Sequence, residues 1–174
     1  MKLQPISYKE LNSRQREIYN FHKVAALLAE YGFNCIKLSD DWQGADFLAY
    51  HKDGKDTLKV QLKSRLTIDK KYTRKGLYIA FPMQGSWCLV EHDALVERVR
   101  EHTNWLNTES WRKKGLYHSD APNAVLLRSL ADHILKVPNP AAQRTRASGG
   151  GLQRLARAPL ASTFGPTEPP TQGP

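Results

Sequence analysis

The stretch DDWQGADFLAYHKDGKDTLKVQLKSR (residues 40–65) holds two runs of alternating character, 45–50 and 57–64, around an Asp-Gly pair. Asp53-Gly54 reads as a two-residue hairpin turn, which sets Lys52 opposite Lys55, Ala49 opposite Leu58 and Asp46 opposite Gln61. Partners across a hairpin share a face, and alternate residues return to it, so Lys63, opposite Gly44, projects with Asp46 and Gln61. The other face carries Ala45, Phe47 and Ala49 against Leu58, Val60 and Leu62. That face is apolar throughout, which gives the register a physical reason to hold. One end of the polar face thus gathers a carboxylate, an amide and an ammonium.

Upstream, residues 9–31 predict a helix, with Ile18, Phe21, Val24, Ala25 and Leu28 at helical spacing and Gly32 as the stop. At 100° per residue Glu17 lies in the middle of that apolar stripe, where a carboxylate is costly unless a cation or donor meets it. Glu10 shares the stripe's direction two turns earlier and is the weaker candidate, whereas Glu30 falls on the solvated side. FNCIKL (33–38) predicts a strand before the hairpin. LYIAF (77–81) and WCLV (87–90) predict two more, separated by a turn containing Pro and Gly. Asp93 is placed to cap a helix running to His102, and Asp120 with Pro122 to start another running to Leu135. Helix, strands, then helices make an α/β domain over residues 1–137.

The chain has 174 residues, of which 40% are hydrophobic and 25% charged, as expected of a globular protein that stays in the cytoplasm and has no membrane partner. No apolar run approaches the roughly 18–20 residues of a membrane span, and the N-terminus has no apolar signal core. Cys35 and Cys88 are isolated, which argues against disulfide and zinc frameworks and for buried thiols, and the six histidines form no ligand pattern. The formal charge is +9. Most of that surplus precedes Pro138, so the ordered part is basic by itself, and a polyanionic partner is favoured. From Pro138 the composition turns to Pro, Gly, Ala, Ser and Thr, predicting a disordered tail over 138–174 around a brief helical LQRLAR.

GADFLAY followed by VQLKS, with a glutamate on the preceding helix, resembles the PD-(D/E)xK nuclease superfamily over roughly residues 10–92. The resemblance implies a restriction-endonuclease-like core, with an N-terminal helix on a mixed sheet of four to five strands and helices after it. Asp46, Gln61 and Lys63 match the motif Asp, hairpin, acid-or-Gln, any residue, Lys, and the helix acid maps onto Glu17. Ala45 stands where the motif has proline, and Gln61 replaces the usual acid, as in some homing-endonuclease-like and resolvase-like members. The implied chemistry is phosphodiester hydrolysis with Mg2+, or Mn2+ in its place. Asp46 is the expected principal ligand, with the Gln61 side-chain oxygen and the Leu62 carbonyl beside it and Glu17 direct or through water. Lys63 is expected to position the attacking water and to stabilise charge on the phosphate.

KSRLTIDKKYTRKG (63–76) adds a basic loop in which Arg65, Lys70, Lys71, Arg74 and Lys75 could track a phosphate backbone. NWLNTESWRKKGLYH interleaves Trp105, Trp111 and Tyr117 with Arg112, Lys113 and Lys114. Those aromatics fit a core better than a base-stacking platform. DNA is the expected partner, with RNA and a homodimer left open. A catalytically silent nucleic-acid-binding module of the same fold, and a basic interaction protein with no nucleic-acid role, are the alternative classes.

Overall fold

The computed structural model describes residues 2–137, so the tail expected over 138–174 lies outside the described residues. The predicted N-terminal helix divides in two: a 3-10 turn at Tyr8–Glu10 and helix α1 (Ser13–Ala29). Asn12 starts α1 by accepting the Gln15 N–H at 2.9 Å, and the Gln15 side chain accepts the Asn12 N–H in return. Phe21, Val24 and Leu28 are its buried residues, whereas Ile18 is exposed. The Glu10 carboxylate caps the preceding turn by accepting the Ser7 N–H at 3.2 Å.

Strands β1 (Phe33–Trp42), β2 (Ala45–His51) and β3 (Thr57–Leu62) form an antiparallel meander. The chain then crosses over through strand β4 (Leu66–Asp69) and a 3-10 turn at Lys70–Tyr72, and strand β5 (Leu77–Met83) pairs in parallel with β3. Strand β6 (Ser86–Glu91), helix α2 (His92–His102), strand β7 (Leu116–Ser119), helix α3 (Ala124–Ser129) and strand β8 (Ile134–Leu135) complete the domain. One mixed sheet runs β1-β2-β3-β5-β6-β8, and β4 pairs with β7 in a second, two-stranded sheet. The fold is α/β with a mixed sheet.

Alternation along β5 separates two cores. Leu77, Ile79, Phe81 and Met83 join Cys88, Val90, Leu95 and Val99 beneath α2, while Ala80 joins Phe21, Val24, Leu28, Phe47, Ala49, Val60 and Leu62 beneath α1. Ala45 departs from its predicted face and packs in the first of these cores.

The predicted register holds, with Phe47 opposite Val60, Ala49 opposite Leu58 and Tyr50 opposite Thr57. The turn that enforces it differs from expectation. His51 N–H donates to Asp56 C=O at 2.8 Å, and only Gly54 has a positive φ, so the connection spans four residues and Lys52 and Lys55 leave the ladder. A two-residue turn with both φ positive lies instead at Gln43-Gly44, between Trp42 and Ala45. A Cβ on Gly44 would stand 2.9 Å from Leu77 Cδ1 and 3.1 Å from the Tyr72 ring, so close approach as well as conformation calls for glycine.

Three further expectations are corrected. Asp93 does not cap α2; it sits in the first turn and its Oδ2 accepts the Arg74 N–H at 2.9 Å. The helix expected from Asp120 starts later, at Asn123, whose side chain accepts the Leu126 N–H, and ends at Ser129 so that Ile134–Leu135 can close the sheet. The stretch expected as a basic loop contains β4, because Leu66, Ile68 and Tyr72 are apolar enough to be buried. Among the described residues no helix is long and apolar enough to cross a membrane.

Candidate functional site

The ladder between β2 and β3 closes at Phe47 and Val60. Beyond it the Asp46 side chain takes the role of a strand carbonyl, with Oδ2 accepting the Leu62 N–H at 2.7 Å. The same oxygen accepts a hydrogen bond from Gln61 Nε2. Gln61 is only 6% exposed, and its Nε2 also donates to the Leu62 carbonyl at 3.3 Å. The other end of the amide, Oε1, accepts from the Tyr72 hydroxyl at 3.2 Å, and that hydroxyl accepts from Lys63 Nζ at 2.9 Å. Lys63 is held just past the end of β3 by its own N–H, which donates to the Ala80 carbonyl at 2.8 Å and extends the parallel β3–β5 seam. Asp46, Gln61 and Lys63 are therefore brought together, joined in one chain through Tyr72.

Burial dominates the electrostatics of this chain. It pushes the Asp46 carboxyl up, against the opposing pull of the Leu62 N–H, Lys63 and Lys37, and the charge of Glu17 pushes the same way as burial. Burial and then Lys71 push the Lys63 ammonium down, against Asp46, Asp69 and Asp41. Burial also raises the Tyr72 hydroxyl, with Asp69, Asp46 and Asp41 adding to it. A desolvated carboxylate and a desolvated ammonium thus share one corner of the sheet, and a charged substrate or ion arriving there would be met by groups already stripped of water.

Glu17 is not brought into the chain. It pairs with Lys37 Nζ at 2.5 Å and with Arg14 at 3.3 Å, and the Lys37 hydrogen bond, with the Lys37 and Arg14 charges, holds its carboxyl below the usual range. Lys37 stands opposite Phe47 on the α1 side of the sheet, which explains the separation. The cation that the stripe position of Glu17 demanded is this lysine.

No group of three or more His, Cys, Asp or Glu side chains that could hold a metal ion occurs among the described residues. The oxygens present are nevertheless of the type a hard divalent cation prefers. Asp46 Oδ2 and the Leu62 carbonyl both receive the same Gln61 nitrogen, so they converge on one point, and Asp46 Oδ1 is engaged by no hydrogen bond from the described residues. These oxygens would serve a cation completed by water once the Gln61 nitrogen is displaced from that point. Gln61 fits only in the opposite sense of its amide, because it now turns N–H rather than C=O toward that point.

The basic residues expected to meet phosphate are partly engaged. Arg65 pairs with Asp120 at 2.8 Å, Lys71 lies 3.8 Å from Asp69, and Lys70 donates to the Arg112 carbonyl while its Nζ sits 5.5 Å from the Trp111 ring. Arg74 and Lys75 are exposed and make no ion pair among the described residues. Trp105, only 9% exposed, stacks on Tyr117 with ring centroids 4.7 Å apart, so this pair satisfies itself and offers no platform for a base. Burial pushes the Cys35 thiol up to about 11 and the Cys88 thiol up to about 12, consistent with inert thiols.

Two residues escaped the sequence reading. Tyr72 was visible only as one aromatic among lysines. His92 lies at the start of α2, 1% exposed, with Nε2 accepting the Asp69 N–H at 3.2 Å and Nδ1 facing Asp93 Oδ1 at 3.2 Å. An acceptor Nε2 leaves the proton on Nδ1, and burial pushes the imidazole down, so it is neutral. His92 and Asp93 together pin both ends of the segment that presents Tyr72. The chain matches no family model, no curated protein and no solved structure.

Proposed function

We propose that this chain is a metal-dependent nuclease with a restriction-endonuclease-like core, acting on DNA. The observation that carries the reading is the convergence of Asp46, Gln61, the Leu62 carbonyl and Lys63 where β2 and β3 part beside the parallel strand β5. An N-terminal helix, a mixed sheet and helices after it are, in coarse outline, what the resemblance to the PD-(D/E)xK superfamily implies, although the sheet has six strands rather than four to five. Asp46 and the Leu62 carbonyl would hold Mg2+ or Mn2+, which when bound supplies charge neutralisation at the phosphate and activation of water. Lys63, whose ammonium is pushed down by burial, would orient the attacking water and, once it has given its own proton to solvent, take one from that water. Arg74 and Lys75 hold flanking phosphates without reading bases. Glu17 serves the site at a distance, its charge and that of Lys37 opposing each other at Asp46.

One observation favours a second reading. The Gln61 N–H directed at Asp46 stands where a cation would, as in a catalytically silent module that binds nucleic acid through the same face. Incubating duplex, single-stranded and branched DNA with the protein and Mg2+ separates the two. Cleavage of any substrate that falls about 100-fold or more in Lys63→Ala and disappears in Asp46→Asn supports the nuclease. Salt-sensitive binding without cleavage supports the silent module, and failure to bind DNA or RNA overturns both.

A further inference from the structure

We infer that Tyr72 is a positioning residue that sets how tightly the Asp46 site takes a divalent cation, by holding the Gln61 amide with its N–H edge toward Asp46. The inference rests on the metal-site reading above and concerns what governs that site. The argument follows from the direction of each hydrogen bond. A lysine ammonium can only donate, so the Tyr72 oxygen accepts from Lys63 and the single hydroxyl proton is left for Gln61 Oε1. With its oxygen thus occupied, Gln61 has only its nitrogen to present to Asp46 Oδ2 and to the Leu62 carbonyl. The orientation of the amide is therefore dictated by chemistry at its far end.

Turning the amide would bring its oxygen to the side of Asp46, where a cation gains a third oxygen donor. It would also set the Gln61 nitrogen against the Tyr72 oxygen and leave the hydroxyl proton without the acceptor it has now. Gln61 and Tyr72 are 6% and 2% exposed, so bulk water does not readily replace the lost partner. Tyr72 itself has little freedom to move away. Its ring packs against Gly44, stands edge-on to His92 at 5.7 Å, and lies in a segment whose Asp69 and Arg74 N–H groups are tied to His92 and Asp93. The hydroxyl acts as a latch on the amide, and every cation that uses the Gln61 oxygen has to open it.

Calorimetric Mg2+ titration of the full chain tests this with five proteins: unmodified, Asp46→Asn, Tyr72→Phe, Gln61→Glu, and Gln61→Glu combined with Tyr72→Phe. Removing one hydrogen bond that opposes binding is expected to tighten Mg2+ about five- to tenfold in Tyr72→Phe. The thermal midpoint without metal should fall or stay level, so affinity and stability move in opposite senses. In Gln61→Glu there is no amide to orient, and adding Tyr72→Phe should change affinity less than twofold. Tyr72→Met, which also lacks the hydroxyl, makes the same comparison if Phe disturbs the packing. Unchanged or weaker Mg2+ binding in both hydroxyl-free variants overturns the inference, as does equal tightening in the Gln61→Glu background. Equal Mg2+ binding by Asp46→Asn and the unmodified protein is a different result: it removes the metal site itself.

Discussion

Two carboxylates illustrate how the residue scale separates a structural charge from a candidate functional one. The Glu17 carboxyl is held low, first by its hydrogen bond to Lys37, so it contributes stability above its unfolded value of 4.5 that is lost as pH falls through the lowered value. Asp46 has the opposite sign. Its carboxyl is raised by burial above 3.8, so below 3.8 folded and unfolded states are both protonated and it costs nothing, whereas above the raised value its charge is fully present and destabilises the fold. Asp46→Asn keeps the size of the side chain and an oxygen that can accept the Leu62 N–H. The metal-free variant should therefore melt higher than the unmodified protein at neutral pH, with the gap closing as pH falls toward 3.8. A variant that melts lower at neutral pH would mean that the Asp46 charge is a stabilising one and that no cation is needed there. The position of both residues was legible in the sequence, but the partner of Glu17 was not, because Lys37 reaches it only across the packing of α1 on β1.

At the scale of elements, periodicity located α1 and the strands of the large sheet other than β8, which was expected as the end of a helix. It failed between β3 and β5. Only Asp69, Lys70 and Lys71 lie between Ile68 and Tyr72, Leu66 and Ile68 flank the polar Thr67, and the partner strand β7 lies more than forty residues away, so the local pattern resembled a solvated loop. The consequence reaches the site, for an open loop would give Tyr72 no fixed place and the Lys63–Tyr72–Gln61 chain could not be foreseen. It also changes which basic groups are available. With Arg65 paired to Asp120, Lys71 near Asp69 and Lys70 lying over Trp111, Arg74 and Lys75 are the cations of this segment's loop that make no ion pair among the described residues. Arg74→Gln with Lys75→Gln should lower the slope of log affinity for duplex DNA against log salt by about 2, at roughly 0.9 per phosphate contact. The matching change at Arg65 and Lys70 should alter it less. If the slope is unmoved by Arg74 and Lys75, the phosphate backbone lies elsewhere on the protein.

Taken as a whole the domain is a sheet with a core on each side, and β3 turns a residue to each. Val60 and Leu62 face the core beneath α1, while Gln61 faces the other side, directly across from Ile79 on β5. The candidate site thus sits on the seam between two layers, and it remains assembled only while both are folded. Sharing the central strands should make the two layers one cooperative unit. Each carries its own reporter: Trp87 lies in the core beneath α1 and Trp105 in the core beneath α2. Phe47 is fully buried in the Trp87 layer, and Phe47→Leu trades an edge-to-face contact with Phe21 for a smaller side chain. That exchange should cost about 1 kcal/mol or somewhat more, by analogy with other small changes of core volume and shape. The change can be followed in urea by fluorescence in two backgrounds that both carry Trp42→Phe and Trp111→Phe, one with Trp105→Phe and the other with Trp87→Phe, so that a single core reporter remains in each. If the layers unfold together, Phe47→Leu moves the midpoint equally in both backgrounds, although Phe47 belongs to the Trp87 core. A shift confined to the background that retains Trp87 would mean that the α1 layer opens by itself, and that Asp46 and Gln61 can part while the core under α2 stays intact.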